Sequence, residues 1–355
     1  MTTKMFETRL LLLMTIAVFR TSIAVEPAQF DVIVVGGGLS GMTAAYELSK
    51  FKAHNITVLV LEAQNRLGGR AYTVELPGSN GTDGFDLGGQ WVGRTQYYVM
   101  HMLNELGIST YAQYATGDKK QRMTQNGTIS SFQGDGLRAS LIGSGDVLKL
   151  FADIENLAKR VAPTEPMADA QAAEWNQMSV ADYAQKAGWT RENRVSLDLI
   201  CNILFNTKPE QISMLYFLMF LNSAGGGLDT LTRDDTHGAN AFRITNGAQS
   251  LVEAMAKSVP EVRNFRQVTR VRTVNDHVEV ETKEGDIKRA RYVILAIPPN
   301  KAAEIRFQPP LSDEKAQLLR NFYPKGKGFK FVFTYATTWW RSKNLAGQVL
   351  SVAQM

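Results

Sequence analysis

Residues 31–70, DVIVVGGGLSGMTAAYELSKFKAHNITVLVLEAQNRLGGR, decide the fold. Val32 to Val35 is an unbroken apolar run, the mark of a strand buried on both faces of a parallel sheet. It leads into Gly36-x-Gly38-x-x-Gly41. Glycine there serves a tight turn, close approach of backbone to a phosphate, and close packing of the next helix. Leu39, Met42, Ala45 and Tyr46 then recur at helical spacing on one face. The N-terminus of that helix offers unpaired N–H groups and a positive dipole end to a pyrophosphate. A second apolar strand, Val58 to Leu61, ends at Glu62, about 20 residues past the last glycine, where a carboxylate hydrogen-bonds an adenosine ribose. A glycine-rich turn alone is common, and an ordinary strand–turn–helix is the competing reading. Strand, glycines, helix, strand and acid in this order predict a dinucleotide site.

The next residues narrow the dinucleotide. Arg66-Leu67-Gly68-Gly69-Arg70 follows the acid as E-x-x-x-R-x-G-G-R, two glycines allowing a sharp bend between two cations suited to a diphosphate. This run resembles that of the flavin-dependent amine oxidase family, where it wraps the FAD pyrophosphate, so FAD is favoured over NAD. The resemblance covers about residues 30 to 350. It implies cofactor-binding roles for Gly36, Gly38, Gly41, Glu62, Arg66, Gly69 and Arg70. Further on, Phe85-Asp-Leu-Gly-Gly-Gln-Trp-Val-Gly-Arg-Thr-Gln96 is similar to the family segment that passes the flavin ring. Gly88 and Gly89 would let backbone approach that ring, and Trp91 matches an aromatic position beside the substrate path, where the better-known members carry tyrosine. A core tryptophan after a hairpin is the plainer reading of Trp91.

Composition excludes several classes. The formal net charge of +5 includes Lys4, Glu7, Arg9 and Arg20 near the N-terminus, and the rest is too scattered to argue for nucleic acid. One cysteine, Cys201, rules out an internal disulfide and a multi-cysteine metal site. His54, His101, His237 and His277 lack ligand spacing and read as surface residues, so no metal is expected. Lys4 and Arg9 precede an apolar run, Leu10 to Phe19, and Ser22-x-Ala24 supplies small residues for cleavage, predicting a secretory leader over 1–24. A mitochondrial presequence or an uncleaved stub are its rivals, and the family would favour the mitochondrial outer membrane. That run is too short to span a bilayer, which takes about 20 residues. Sequons stand at Asn55, Asn80 and Asn126.

Along the chain, Leu76-Pro-Gly-Ser-Asn-Gly-Thr-Asp-Gly84 reads as loop. Residues 97–235 read as mainly helical. Val147, Leu150, Phe151, Ile154, Leu157 and Val161 mark one amphipathic helix, Ser179-x-x-Asp182 starts another, and Ile212 to Leu221 is a buried core helix. Glu174-Trp-Asn-Gln-Met-Ser and Ile203-Leu204 are similar to monoamine oxidase substrate domains, which implies that Ile203 and Leu204 line the apolar cavity; helix packing explains them equally well. After Ile244-Thr-Asn-Gly-Ala-Gln249 come a helix with Leu251, Val252, Met255 and Val259 on one face, short strands near Val268–Val271 and Val278–Thr282, and a buried strand from Tyr292 to a proline stop. By resemblance, Val268 packs on the adenine.

Gly328-Phe-Lys-Phe-Val-Phe-Thr-Tyr335 alternates as a strand, Phe329, Phe331, Phe333 and Tyr335 on one face and Lys330 on the other. A mid-strand lysine is usually the wet side of a sheet. Its spacing to Trp340-Arg341 is similar to that from the family's flavin lysine, which holds a water against flavin N5, so Lys330 is the candidate catalytic residue.

The fold class predicted is α/β: a Rossmann-like FAD-binding domain of the glutathione-reductase type beside a mixed α+β substrate domain. The FAD-binding domain takes residues 30–110 and 244–306, the mainly helical substrate region 111–243, and the start of a substrate-domain sheet 307–355. The resemblance implies oxidation of primary monoamines by FAD and O2, giving aldehyde, ammonia and H2O2. Polyamine oxidase would need acidic residues in the cavity and L-amino-acid oxidase an arginine for the carboxylate. Arg94 does not decide between them, and the Gly-Gly-Gln-Trp wording favours monoamines. The family's Ser-Gly-Gly-Cys-Tyr run for covalent flavin and its paired flavin-facing aromatics have no match here, so FAD is expected to be non-covalent. The chain is expected to be C-terminally incomplete, and an inactive FAD- or partner-binding relic is the rival from outside the enzyme class. The oligomeric state is not readable.

Overall fold

The computed structural model describes residues 29–51, 55–78, 81–123, 129–132, 145–225, 227–233, 235–322 and 326–352. The expected leader and the sequons at Asn80 and Asn126 lie outside these residues, while Asn55 sits in an exposed turn. Strand Phe30–Val35 runs parallel to Val58–Leu61 on one side and Ile287–Leu295 on the other, and Glu261–Arg263 adds a fourth parallel strand. Ile287–Leu295 continues antiparallel into His277–Thr282 and Val268–Val274, and Arg306–Gln308 ends the seven-stranded sheet.

The apolar strand runs are explained by cores on both faces. Val32, Val34, Val58 and Val60 pack with Met42, Ala45 and Tyr46 of helix Leu39–Ser49 and with Leu251, Val252 and Met255 of helix Gln249–Ala256. Ile33, Val35, Leu59 and Leu61 pack in a second cluster with Val268, Val280 and Ala290 of the same sheet. Full burial of each such side chain stabilises by about 1.5–3 kcal/mol. Leu39, the first helical residue, stays partly exposed at the mouth of the turn.

The second region forms its own core from helices Gly145–Ala158, Ala172–Gln177, Val180–Lys186, Arg191–Phe205 and Met214–Ser223, burying Phe151, Ile154, Trp175, Phe217 and Leu218. The capping box forms: the Asp182 N–H donates to Ser179 Oγ at 3.1 Å and the Ser179 N–H donates to Asp182 Oδ2 at 2.9 Å. Cys201 is wholly buried in this core, and desolvation pushes its thiol well up. Iodoacetamide at pH 8 is therefore expected to spare Cys201 in the native chain and label it after denaturation; equal labelling in both states would contradict this core placement. Among the described residues no helix is long and apolar enough to cross a membrane.

Four expectations are corrected. The segment read as loop from Leu76 to Gly84 belongs to an antiparallel hairpin, Thr73–Gly78 with Gly81–Asp86; its Asn-Gly dipeptide is a hairpin signal as much as a loop signal. Tyr292, Ile294 and Leu295 are exposed rather than buried, because from Arg291 onward only Phe30–Val35 pairs with their strand among the described residues. His277 is buried, since it opens a strand with neighbours on both sides, whereas His101 and His237 are exposed as expected. Residues 328–335 are not a strand: no strand lies beside them among the described residues, and Phe329, Phe331 and Phe333 stand in solvent.

Candidate cofactor site and active site

Helix Leu39–Ser49 starts directly at the glycine turn, and no side chain caps it at Gly38. Its first N–H groups are the orphans that an anion satisfies. The three motif glycines differ in what they do. A Cβ at Gly41 would collide with the Gly36 carbonyl oxygen, so Gly41 sets how closely helix and strand pack. A Cβ at Gly38 would meet nothing nearer than the Gly68 oxygen and Gly69 Cα, each at 4.0 Å, so this glycine keeps open the space between the two loops. Gly36 is tied to the neighbouring strand by its N–H, which donates to the Leu61 carbonyl at 2.8 Å.

Glu62 stands at the end of that neighbouring strand, 9% exposed. Its Oε2 accepts the Gly37 N–H at 2.7 Å and its Oε1 accepts the Gln64 N–H at 2.8 Å. The carboxylate is thus oriented by the glycine turn, and each oxygen keeps a further lone pair. The Arg266 N–H donates to the Glu62 carbonyl at 2.7 Å, which brings the approach to Val268 alongside the acid. Val268 itself is buried, at the start of its strand.

The two arginines of the next loop part company. Arg66 turns back onto its own loop, donating to the carbonyls of Gly69 at 2.9 Å, Leu67 at 3.3 Å and Ala71 at 3.4 Å, with its guanidinium 4.0 Å from the Tyr72 ring centroid. Arg70 is exposed, and its guanidinium has neither a hydrogen bond nor an ion pair among the described residues. The glycine turn, the uncapped helix end, the aimed carboxylate and the space at Gly38 that a Cβ would fill suit the adenosine-diphosphate half of FAD.

A second turn packs on this one. A Cβ at Gly88 would collide with the Arg70 carbonyl oxygen, while Gly89 faces open space. The Gly88 N–H donates to the Tyr72 carbonyl at 3.1 Å and the Gly89 N–H to the Arg70 carbonyl at 3.2 Å. Asp86 anchors the turn from inside, its Oδ1 accepting the Thr73 hydroxyl at 2.7 Å and the Ala248 N–H at 2.8 Å. Lys330 then reaches the same turn from far along the chain, donating to the Gly88 carbonyl at 2.6 Å, the Asp86 carbonyl at 3.2 Å and Gln90 Oε1 at 3.3 Å. Partial burial holds its ammonium below the ordinary lysine range; the Arg243 guanidinium adds to that, and Asp86 opposes it.

Trp91 is 44% exposed, and its indole N–H donates to Gln113 Oε1 at 3.1 Å. It lies in the short strand Trp91–Val92, opposite Arg243 of Phe242–Ile244, whose other neighbour is Thr110–Ala112. Ile203 is exposed on helix Arg191–Phe205, and Leu204 packs against the helical core. The end of that helix meets the Lys330 segment: the Lys327 N–H donates to the Asn206 carbonyl at 3.0 Å. Among the described residues Trp91 shares no hydrophobic cluster with Ile203 or Leu204. Gln113 and Arg243 were not singled out from the sequence, and Gln90 entered only as part of the Gly-Gly-Gln-Trp wording. Arg243 is brought opposite Trp91 by the pairing of Trp91–Val92 with Phe242–Ile244, Gln113 reaches the Trp91 indole by its side chain, and Gln90, next to Trp91 in the chain, meets Lys330 only through the tertiary fold.

The family model for flavin containing amine oxidoreductase matches residues 39–353. The flavin-containing amine oxidase A of Canis lupus familiaris is 32% identical over 332 residues, 92% of this chain and 60% of its own length. A probable flavin-containing monoamine oxidase A of Dictyostelium discoideum is 30% identical over 328 residues, 91% of this chain and 69% of its own. The chain therefore spans about 60% of the length of the dog relative. Among solved structures, a putrescine oxidase variant superposes with a TM-score of 0.77 at 24% identity, over 92% of this chain and 70% of that one. Cyclohexylamine oxidase from Brevibacterium oxydans superposes with a TM-score of 0.74 at 24% identity, over 91% and 70%. At these identities the likeness to the two structures is one of fold.

Proposed function

The chain belongs to the flavin-containing amine oxidoreductase family, and on that premise we propose that it binds FAD non-covalently for the oxidation of primary monoamines. The overall change is amine, O2 and water to aldehyde, ammonia and H2O2. The observation that carries this reading is one packed corner: the Gly88–Gly89 turn, hydrogen-bonded beneath Arg70 of the nucleotide loop and beneath Lys330. Flavin, when bound, supplies the two-electron acceptor for the hydride equivalent leaving the carbon beside the amine nitrogen.

The chain's own residues bind, orient and shield. Gly36, Gly38 and Gly41 place helix N–H groups toward a pyrophosphate, and Glu62 offers its remaining lone pairs to ribose hydroxyls. Arg70 keeps its donors for phosphate, and Arg66 and Gly69 hold the bend of the loop. Gly89 leaves room for a flat ring, and Val268 closes the adenine end. Trp91, Ile203 and Leu204 supply apolar surface that favours the neutral amine over the ammonium. Lys330 holds a cation at the turn where negative charge builds on O2 as it is reduced.

Titration of the chain with FAD, followed by anaerobic addition of aromatic monoamines, tests the reading. Saturable tryptophan quenching and amine-dependent bleaching of the flavin band are expected, with all flavin released by acid. Absence of FAD binding would sink it. So would bleaching by putrescine or an L-amino acid in place of monoamines. In the loaded protein, Lys330→Met should slow flavin reoxidation by O2 on the order of a hundredfold at near-normal flavin content. An unchanged stopped-flow rate would leave Lys330 without that role.

A further inference from the structure

An ammonium carries three N–H donors, and Lys330 uses all of them at one turn. Two go to the backbone carbonyls of Gly88 and Asp86, whose places the turn itself sets. The third goes to a side chain, Gln90 Oε1. That same oxygen accepts from Arg243 Nη2 at 3.4 Å. Arg243 forms no ion pair among the described residues, and its Nε is buried without a hydrogen-bond partner. Two cations thus converge on one amide oxygen, whose two lone pairs receive one each. Asp86, the acid of this turn, has Oδ1 committed to Thr73 and Ala248.

We propose that Gln90 is a positioning residue: its amide oxygen gathers Lys330 and Arg243 onto the Gly88–Gly89 turn and fixes where the Lys330 ammonium points. The proposal rests on the reading above that this turn faces the flavin. Gln90 is suited to the task because a neutral amide accepts from both cations without cancelling the charge of either. A carboxylate there would neutralise the pair, and an aliphatic side chain would leave two like charges close together with no common acceptor. The titratable and charged groups facing the corner are Lys330, Arg243 and Asp86.

Acetic anhydride acylates a free amine and spares an ammonium, so labelling of Lys330 against pH, read by peptide mass spectrometry, reports on this corner in the chain itself. Gln90→Leu removes an acceptor that favours the charged form. Labelling at a fixed pH below the midpoint should rise roughly tenfold, the equivalent of one pH unit. Gln90→Glu, close in shape, should lower it by a similar factor. In the flavin-loaded protein, Gln90→Leu should also slow reoxidation by O2 while flavin content holds. Superimposable labelling profiles for the parent chain and Gln90→Glu would overturn the proposal even if Gln90→Leu fails to fold. Labelling needs no cofactor, so a failure of FAD binding would fall on the amine oxidase reading, and unmoved profiles on the role of Gln90.

Discussion

Glu62→Ala should abolish FAD binding and also destabilise the cofactor-free chain by about 2–6 kcal/mol. The carboxylate serves the protein before any ligand arrives, since its two oxygens accept the Gly37 and Gln64 N–H groups. Alanine leaves both donors unpaired where Glu62 is buried, at about 1–3 kcal/mol each. It also removes the acceptor offered to the ribose. Glu62→Gln keeps one acceptor oxygen and sets an amide N–H against one of the donors, so it should fall between the two. Urea unfolding without FAD separates the effects: an unchanged midpoint in Glu62→Ala would show that these two bonds contribute nothing to the fold. Binding of FAD at parent affinity would remove Glu62 from the site.

Gly41→Ala and Gly38→Val should fail in opposite ways. At Gly41 the new Cβ meets the Gly36 carbonyl, a backbone atom that moves only if the helix leaves the strand. Overpacking of this kind costs about 1–3 kcal/mol, and the chain should melt earlier whether or not FAD is present. Gly38 sits at φ −77° and ψ 179°, extended backbone that valine adopts freely. Its Cβ would project into open space toward Gly68 and Gly69. The fold should survive, while the room for a pyrophosphate is filled and FAD affinity falls at least about a hundredfold, near 3 kcal/mol. Matched melting temperatures for the parent and Gly38→Val, with flavin lost from the latter, are the expected pair of results. A Gly38→Val chain that binds FAD as well as the parent would move the pyrophosphate elsewhere.

Some of this was legible because it is written within short stretches of chain. The run from Val32 through Gly41 to Glu62 works through backbone sterics, helix periodicity and strand burial, all acting over a few turns, and so the strand–turn–helix–strand unit could be read from order and spacing. Ser179 and Asp182 are three residues apart, and their capping box needed nothing else. Arg66 and Arg70 show the limit even there. They look alike in sequence, yet one guanidinium folds back onto the carbonyls of its own loop and the other has no side-chain partner among the described residues.

What the tertiary structure alone decided lies between distant segments. Alternation around Lys330 suggested a strand, but a strand exists only where another lies beside it, and none does among the described residues. Tyr292 and Ile294 were apolar enough to be core, and sheet order left them on an uncovered face. The sequence by itself determined the strand–glycine turn–helix–strand unit from Val32 to Glu62 and named Lys330 as the candidate catalytic residue, because those signals are local. That Lys330 meets Asp86, Gly88 and Gln90 across more than 200 positions of chain, with Arg243 beside it, was decided by how its non-strand segment packs between the end of helix Arg191–Phe205 and the Gly88–Gly89 turn. No local pattern encodes a contact of that separation, since it depends on every element between.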